Sequence, residues 1–505
     1  MRVTAHNDIK HVFTVCLEEN QTIENNAASR EGAVKVAESN QASPMDSDSE
    51  KVSLYEVRQK IYPRAVHGIF NNWRVALVLL TQILYYGLPW LNWHGRQAVL
   101  FDLVNRKFFL FDLVFWPQDF IWLALILIIS ALSLFLFTAI AGRLWCGYAC
   151  PQTVYTELFM WVERWFEGDY KKQQKLNTMP WNGEKIVRRG GKHVAWILLA
   201  LWTGFTLVAY YTPARTLLVE LGTWTLGPWE TFWIFFYAFA TWGFAGFMRE
   251  QVCKYMCPYA RFQSVMFDED TLIITYDYLR GEPRGSRKKE ADYKAEGLGA
   301  CVNCDICVSV CPTGIDIRDG LQYMCIGCAA CIDACDQVMD KMGYEKGLIR
   351  YSTQNAIDGK YADEEISKHV FRPRTLFYTV VLTGIVIAFF YTLVNRIPMR
   401  VDVIRDRLTL SRETPSGGLE NLYRLQVINM DGKPHHYTIN AKGLDGLKIT
   451  SGDQIDVAAL GTENLNVTLE APKSSVLHPT QPVFFEIKAA DDSRLVREAK
   501  SSFLK

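Results

Sequence analysis

The stretch "CVNCDICVSVCP" (301–312) is followed, with thirteen residues between Cys311 and Cys325, by "CIGCAACIDAC" (325–335). Each run has the spacing C-x2-C-x2-C-x3-C, that of bacterial two-cluster ferredoxins, in which the fourth cysteine of one run ligates the cluster held by the other. The tight spacing lets one loop wrap a face of a cubane while a distant cysteine closes it. The expected ligand sets are therefore Cys301, Cys304, Cys307 and Cys335 for one [4Fe–4S] cluster, and Cys325, Cys328, Cys331 and Cys311 for the other. Structural zinc needs four ligands and usually draws them from paired CxxC elements, so a third cysteine in each run argues for iron–sulfur chemistry. The first run ends in Pro312, whereas Asp336 follows Cys335. That difference leaves ligation intact and changes the surroundings of one cluster.

The chain around this signature belongs to a membrane. Of its 505 residues, 49% are hydrophobic and 13% aromatic, with 15 Trp, which suits spans flanked by interfacial aromatic belts. Five segments are apolar for the roughly 20 residues that cross a hydrocarbon core: 75–93, 120–141, 194–212, 229–248 and 375–394. Backbone groups in lipid must be satisfied internally, so these are read as helices. Lys and Arg are dense in the loop 143–193 and nearly absent from 213–228, where Arg215 stands alone. The positive-inside bias then places the N-terminus, 143–193 and 249–374 in the cytoplasm, and 94–119 and 395–505 outside. Within the first of these inner loops, 153–168 carries Leu158, Trp161 and Trp165 at helical spacing, as a helix lying on the inner surface would.

Thirteen cysteines occur; twelve lie between Cys146 and Cys335, and the last 170 residues have none. A secreted disulfide scaffold would spread its pairs, so the clustering points to metal ligation. Four of the twelve fall outside the ferredoxin runs. "RLWCGYACPQ" (143–152) and "VCKYMCPYAR" (252–261) each place two thiols four apart before a proline, at inner ends of spans. Cys146 with Cys150 and Cys253 with Cys257 could share a helix face, or Pro151 and Pro258 could open new helices. Helix packing, a soft-metal site and a dithiol relay taking electrons from the clusters are the three readings. The last two are compatible, since a thiolate site that binds copper beside a one-electron donor can reduce it.

The first twenty residues lack a long apolar run, so no signal peptide is expected; residues 20–50 are polar and the segment 1–54 is expected to be disordered, with Met45 as an alternative start and Cys16 upstream of it. The nine histidines make no haem pair, and only His193 borders a span on the inner side. There is no Gly-rich dinucleotide fingerprint, so the electron donor is expected to be another protein or a quinol. The net charge of zero gives no sign of nucleic acid. Beyond residue 400 the pattern turns to short alternating strands, with a hairpin signal at Asp431-Gly432. About seven strands in some 100 residues suggest an immunoglobulin-like sandwich with a partner-binding role.

The fold class is thus a five-span α-helical membrane protein with a cytoplasmic 2[4Fe–4S] ferredoxin-like domain and a periplasmic immunoglobulin-like β-sandwich. The boundaries are 1–54 for the N-terminal segment, 55–280 for the first four spans, 281–374 for the ferredoxin-like domain, 375–394 for the fifth span and 395–505 for the sandwich. "YPRAVHG" (62–68), both C-x3-C-P elements, the double ferredoxin run and the terminal sandwich together resemble the CcoG/FixG/RdxA family of accessory proteins for cbb3-type cytochrome c oxidases. The C-x3-C-P element is shared with membrane ferredoxins of nitrate and nitrous oxide reductase systems, and the sandwich favours the oxidase family. The resemblance implies a bacterial inner-membrane protein that reduces Cu(II) to Cu(I) for the haem–copper centre. Cys146, Cys150, Cys253 and Cys257 would be the copper-binding redox thiols, and oxidase assembly factors or copper chaperones would be the partners, with room for a dimer. Two other roles stay open: an electron carrier to another reductase, and a non-catalytic assembly scaffold or copper chaperone.

Overall fold

The computed structural model describes residues 60–406, 411–415 and 417–505. The expected disordered segment, with Cys16 and Met45, lies outside them.

Among the described residues, four helices are long and apolar enough to cross a membrane, within Pro117–Ala141, Gly183–Val208, Pro228–Met248 and Pro373–Val394. We name α1 Ile69–Gly87, α2 Phe120–Ala141, α3 Pro151–Glu167, α4 Gly183–Val208, α5 Pro228–Thr241, α6 Pro258–Met266, α7 Ala330–Met342 and α8 Pro373–Val394. The first expected span, 75–93, is not among those four. The helix starts at Ile69, not 75, and ends at Gly87, because Pro89 follows in a tight 3-10 turn and 92–93 are extended. Asn71, Asn72, Arg74 and Gln82 interrupt its apolar run, which sets α1 apart from the other four. α4, at the third expected span, begins at Gly183, eleven residues before its apolar stretch, with Asn182 capping it by accepting from the Lys185 backbone N–H.

The two most apolar helices, α2 and α8, pack against each other and carry the other domains at opposite ends. At the C-terminal end of α2, the Leu272 N–H donates to the Ile140 carbonyl at 3.0 Å, and Arg372 Nη2 donates to Ala139 at 2.6 Å. At its N-terminal end, Arg396 pairs with Asp119 at 2.5 Å and donates to the Val114 carbonyl. Twenty-two helical residues span about 33 Å at 1.5 Å per residue, close to the roughly 30 Å of a hydrocarbon core.

Strands β1 (Val99–Asp102), β2 (Lys107–Leu110) and β3 (Leu113–Phe115) form a small antiparallel sheet in the loop after α1. Val114 and Trp116 pack on Ile428 and Met430 of the terminal domain. At the other end, β4 (Ile273–Tyr276) pairs antiparallel with β5 (Ile349–Ser352), bracketing both cysteine runs. The ferredoxin-like unit accordingly begins upstream of residue 281, since β4 supplies half of its two-stranded sheet. Ile274, Ile317, Ile332, Met339 and Ile349 form its core with Cys301 and Cys307.

Among its described residues the terminal domain has nine strands: β6 (Met399–Arg405), β7 (Arg412–Glu413), β8 (Gly418–Asn429), β9 (His435–Lys442), β10 (Lys448–Ser451), β11 (Gln454–Val457), β12 (Thr462–Pro472), β13 (Thr480–Ala489) and β14 (Val496–Leu504). One sheet runs β10-β12-β8-β6 with β7 also on β8; the other runs β11-β9-β13-β14. Tyr423, Leu425, Tyr437, Val467, Phe485 and Phe503 fill the space between them. The expected hairpin at Asp431-Gly432 is corrected here. β8 and β9 flank that turn, but they lie in different sheets. The Asn429 side chain donates to the Lys433 carbonyl at 2.7 Å, holding a connection that crosses the sandwich. Local turn chemistry marks the bend equally well in either case.

Candidate metal and electron-transfer centre

The eight cysteines of the double run line two adjacent cavities. Cys301, Cys304, Cys307 and Cys335 border one, with Tyr276 and Met339. Cys311, Cys325, Cys328 and Cys331 border the other, with Ile274 and Ile326, and Cys307 touches both. The fourth cysteine of each run therefore faces the opposite run, as cross-ligation requires, because the short helix Ile306–Ser309 and α7 carry Cys311 and Cys335 away from their own loops. The residues fit two [4Fe–4S] clusters: four sulfurs around each hollow, with apolar walls. Burial pushes the thiols of Cys307 up to about 11 and Cys325 and Cys335 up to about 12, so these sulfurs stay protonated unless a metal displaces the proton.

The four border thiols come from two matching turns. Cys146 lies in the short helix Leu144–Tyr148, and Cys253 in a π-type turn Val252–Met256. Cys150 and Cys257 occupy the positions before α3 and α6, where Pro151 and Pro258 begin the new helices. Of the two local geometries open in the sequence, the proline-started helix is the one adopted. Gln152 joins the halves, donating to the carbonyls of Phe244 at 3.0 Å and Arg249 at 3.2 Å. Cys146 and Cys253 pack on Val310, Ile326, Cys328 and Ala334, so both motifs lean on the second cavity's wall. All four sulfurs lie within electrostatic reach of one another. Burial raises the Cys146 thiol to about 11 and Cys253 to about 12, and raises Cys150 as well. Cys146 Sγ donates to Gln263 Oε1 at 3.4 Å. Among the described residues no three His, Cys, Asp or Glu groups stand close enough to cage a single ion.

The first motif touches the cluster loop directly. A Cβ on Gly147 would lie 2.8 Å from Cys328 Cα and 2.9 Å from its N; one on Gly327 would lie 3.0 Å from the Arg143 carbonyl group. Only glycine permits both approaches, and Gly327 also has φ +68°.

Three arginines complete the surroundings, and none was singled out by the sequence reading. Arg143 is buried and donates to the carbonyls of Tyr323 and Ala260, bringing its charge near Cys146, Cys325, Cys253 and Cys257. Arg74 lies near Cys328. Arg318 is held by Asp316 and Asp305 at 2.6 and 2.7 Å and lies near Cys307. Positive charge beside a thiolate cluster favours its reduced, more negative form. The available signals were Arg74 inside an apolar helix and Arg143 immediately before a C-x3-C-P element.

α3 differs from the surface helix expected of it. Trp165 is exposed, but the opposite face buries Glu157, Glu163 and Glu167. Lys192 meets Glu163 at 3.4 Å and Glu167 at 2.7 Å, Arg249 meets Glu163 at 2.6 Å, and Arg74 meets Glu157 at 3.7 Å. This ionic layer locks α3 between α4 and the turn leading to Cys253. His193 stacks on Phe247, with ring centroids 5.7 Å apart.

Known proteins match all of these parts. A family described as a 4Fe-4S dicluster domain matches residues 248–354, a 4Fe-4S binding domain matches 123–172, and the Ig-like fold at the C-terminus of FixG matches 389–505. The nitrogen fixation protein FixG of Rhizobium meliloti is 38% identical over 447 residues, covering 80% of this chain and 85% of its own. Proteins RdxA and RdxB of Cereibacter sphaeroides are 39% and 42% identical, over 84% and 78% of this chain and 91% and 84% of theirs. The crystal structure of a FixG-related protein from Vibrio parahaemolyticus aligns at 28% identity with 21% of this chain and 96% of its own, with a TM-score of 0.20. With its two cysteine-lined cavities, apolar helices and terminal sandwich, the chain belongs to the CcoG/FixG/RdxA family of membrane iron–sulfur redox proteins.

Proposed function

We propose that the protein reduces Cu(II) to Cu(I) at the border thiols, as a step in assembling the haem–copper centre of a cbb3-type cytochrome c oxidase. The observation that carries this reading is the mutual proximity of Cys146, Cys150, Cys253 and Cys257, with Cys146 and Cys253 packed on the apolar cluster that includes Cys328. Thiolates are soft ligands that favour Cu(I) over harder ions, so the site stabilises the product of a one-electron reduction. The reading needs two of the four sulfurs on copper at a time, not a four-sulfur cage. Cys301, Cys304, Cys307 and Cys335 hold one [4Fe–4S] cluster; Cys325, Cys328, Cys331 and Cys311 hold the other. Such clusters supply reversible one-electron chemistry. The Arg143 charge lies near Cys146, Cys253 and Cys257 of one set and Cys325 of the other, and offsets negative charge on both.

In this reading α1 is a fifth span. The dense Lys and Arg of 143–193 place the thiols and clusters in the cytoplasm and the N-terminus with them, in a bacterial inner membrane. The sandwich then lies in the periplasm, where it meets oxidase assembly factors or copper chaperones. The location of the two domains at opposite ends of α2 and α8 supports that division. The test is Cu(II) reduction by anaerobically purified, dithionite-reduced protein, after removal of excess reductant. Cys146→Ala/Cys257→Ala should lose the activity while keeping its iron. Reduction at the wild-type rate would remove the thiols from the reaction, and an inactive wild type would leave a scaffold role.

A further inference from the structure

The end of α3, the first turns of α4 and the chain between them are strongly basic. Eight Lys or Arg and three Asp or Glu lie between residues 164 and 192. Several of these charges are already matched. Lys192 meets Glu167 at 2.7 Å, Arg188 meets Glu184 at 2.9 Å, and Lys185 donates to the carbonyls of Asn177 and Met179. Lys171, Lys172 and Lys175 differ. They share one face of the short helix Tyr170–Thr178, whose other face buries Gln173 and Leu176. All three are exposed, and none has a carboxylate partner among the described residues.

Apolar groups accompany these charges. The 26 residues of α4 measure about 39 Å against roughly 30 Å of hydrocarbon core, so its first turns stand in a headgroup layer. There α4 exposes Ile186 and Val187, and the exposed face continues through Val194 and Leu198 into the span. Trp181 is 69% exposed, with Lys185 Nζ 5.2 Å and Arg189 Cζ 5.5 Å from its ring centroid. Arg189 also donates to Asn177 Oδ1 at 2.7 Å, tying the lysine helix to α4. Trp165 is 83% exposed beside Phe166, which packs on Gly191 of α4. A soluble acidic partner would answer the lysines but not two open tryptophans and a bare aliphatic face running into a span. A bilayer answers both, because tryptophan rings settle at the headgroup level and Lys/Arg clusters bordering a span attract anionic lipid. The geometry points to a binding surface for an anionic phospholipid, its phosphate met by Lys171, Lys172 and Lys175 and its glycerol and upper chains lying against Trp165, Trp181 and Val187. A zwitterionic headgroup fits less well, since its own ammonium would face the lysines. The inference needs α4 as a span and is independent of copper.

The test is native mass spectrometry of full-length protein in detergent, titrated with dioleoylphosphatidylglycerol or with dioleoylphosphatidylcholine. Wild-type protein should bind the phosphatidylglycerol more tightly. Each lysine should contribute about a fivefold factor to that preference, so Lys171→Gln/Lys172→Gln/Lys175→Gln should bring the two lipids to nearly equal affinity. Trp165→Ala/Trp181→Ala should weaken both lipids alike, because the rings meet parts the two lipids share. Lys288→Gln/Lys289→Gln/Lys294→Gln makes the same charge change on exposed residues of the ferredoxin-like domain and should leave the preference intact. Wild-type visible iron–sulfur absorbance in each variant shows that it has folded. A preference retained by the first triple variant overturns the proposal. So does a preference lost equally in the control triple, which would reduce the effect to net charge. Equal binding of both lipids by wild-type protein also overturns it and leaves the lysines to an acidic soluble partner.

Discussion

Gly147→Ala is the sharpest probe of the contact between the first thiol motif and the cluster loop. The new methyl would stand 2.8 Å from Cys328 Cα, with Cys328 N and Gly327 C at 2.9 Å. Carbon atoms settle at about 3.5–4.0 Å, so the two backbones must separate by about 0.7–1.2 Å. No flexible side chain can absorb the shift, because every near atom belongs to the backbone of the loop carrying Cys325 and Cys328. Overpacking of this kind costs about 1–3 kcal/mol. If that cost falls on the folded cluster site, loss of iron to a chelator should become about 5- to 150-fold more favourable, at 1.4 kcal/mol per decade. The assay is anaerobic chelator titration followed by the visible iron–sulfur absorbance. Gly222→Ala is the control, since nothing lies within 4 Å of a Cβ there. Iron held by Gly147→Ala as tightly as by wild type and control would refute the direct contact and the electron route drawn through it.

Three other outcomes are expected. Cys311→Ser should remove the cluster of the Cys325–Cys328–Cys331 loop, and Cys304→Ser the other, each lowering iron by about half; electron paramagnetic resonance should show different surviving signals, and the same survivor in both would contradict cross-ligation. Glu163→Ala strips Arg249 and Lys192 of a buried partner and should cost about 3–5 kcal/mol, seen as faster thermal inactivation, whereas an unchanged rate would make the ionic layer incidental. His435 of β9 is buried, with Asp491 at 2.7 Å and Asp431 at 3.1 Å from its ring nitrogens. Burial pulls its pKa down, but the bonds to Asp431 and Asp491 outweigh it and hold the pKa above the ordinary value. Its stabilisation should therefore be complete below the unfolded pKa of about 6.5 and fade as pH rises through the higher folded value. Thermal melts of full-length protein across that window should show the decline, and His435→Gln should flatten it; an equal slope in the variant would assign it to other groups.

How much was legible in the sequence followed the range of each interaction. Cysteine spacing is a local property, so the two runs displayed their ligands without any knowledge of the fold. An uninterrupted apolar run is equally local, which is why α2 and α8 fell close to their expected bounds, and α5 with the π-type segment Trp242–Met248 that continues it did too, while α1, broken by Asn71, Asn72, Arg74 and Gln82, did not. The hairpin signal at Asp431-Gly432 failed for the complementary reason: a turn sequence specifies a bend, but the choice between pairing and crossing depends on the hydrogen-bonding edges offered by β12 and β13. The buried acids of α3 looked like the wet face of a surface helix, since their partners Lys192, Arg249 and Arg74 are distant in the chain.

The sequence by itself thus determined the iron–sulfur chemistry, the membrane-spanning character and the doubled thiol motif. Tertiary structure decided what those parts do to one another. It brought Gly147 onto Cys328 and placed the Arg143 charge near sulfurs of both groups. Each depends on close approach of segments far apart in the chain, and no local pattern encodes that approach, because side-chain volume and buried charge act only once the backbones have met.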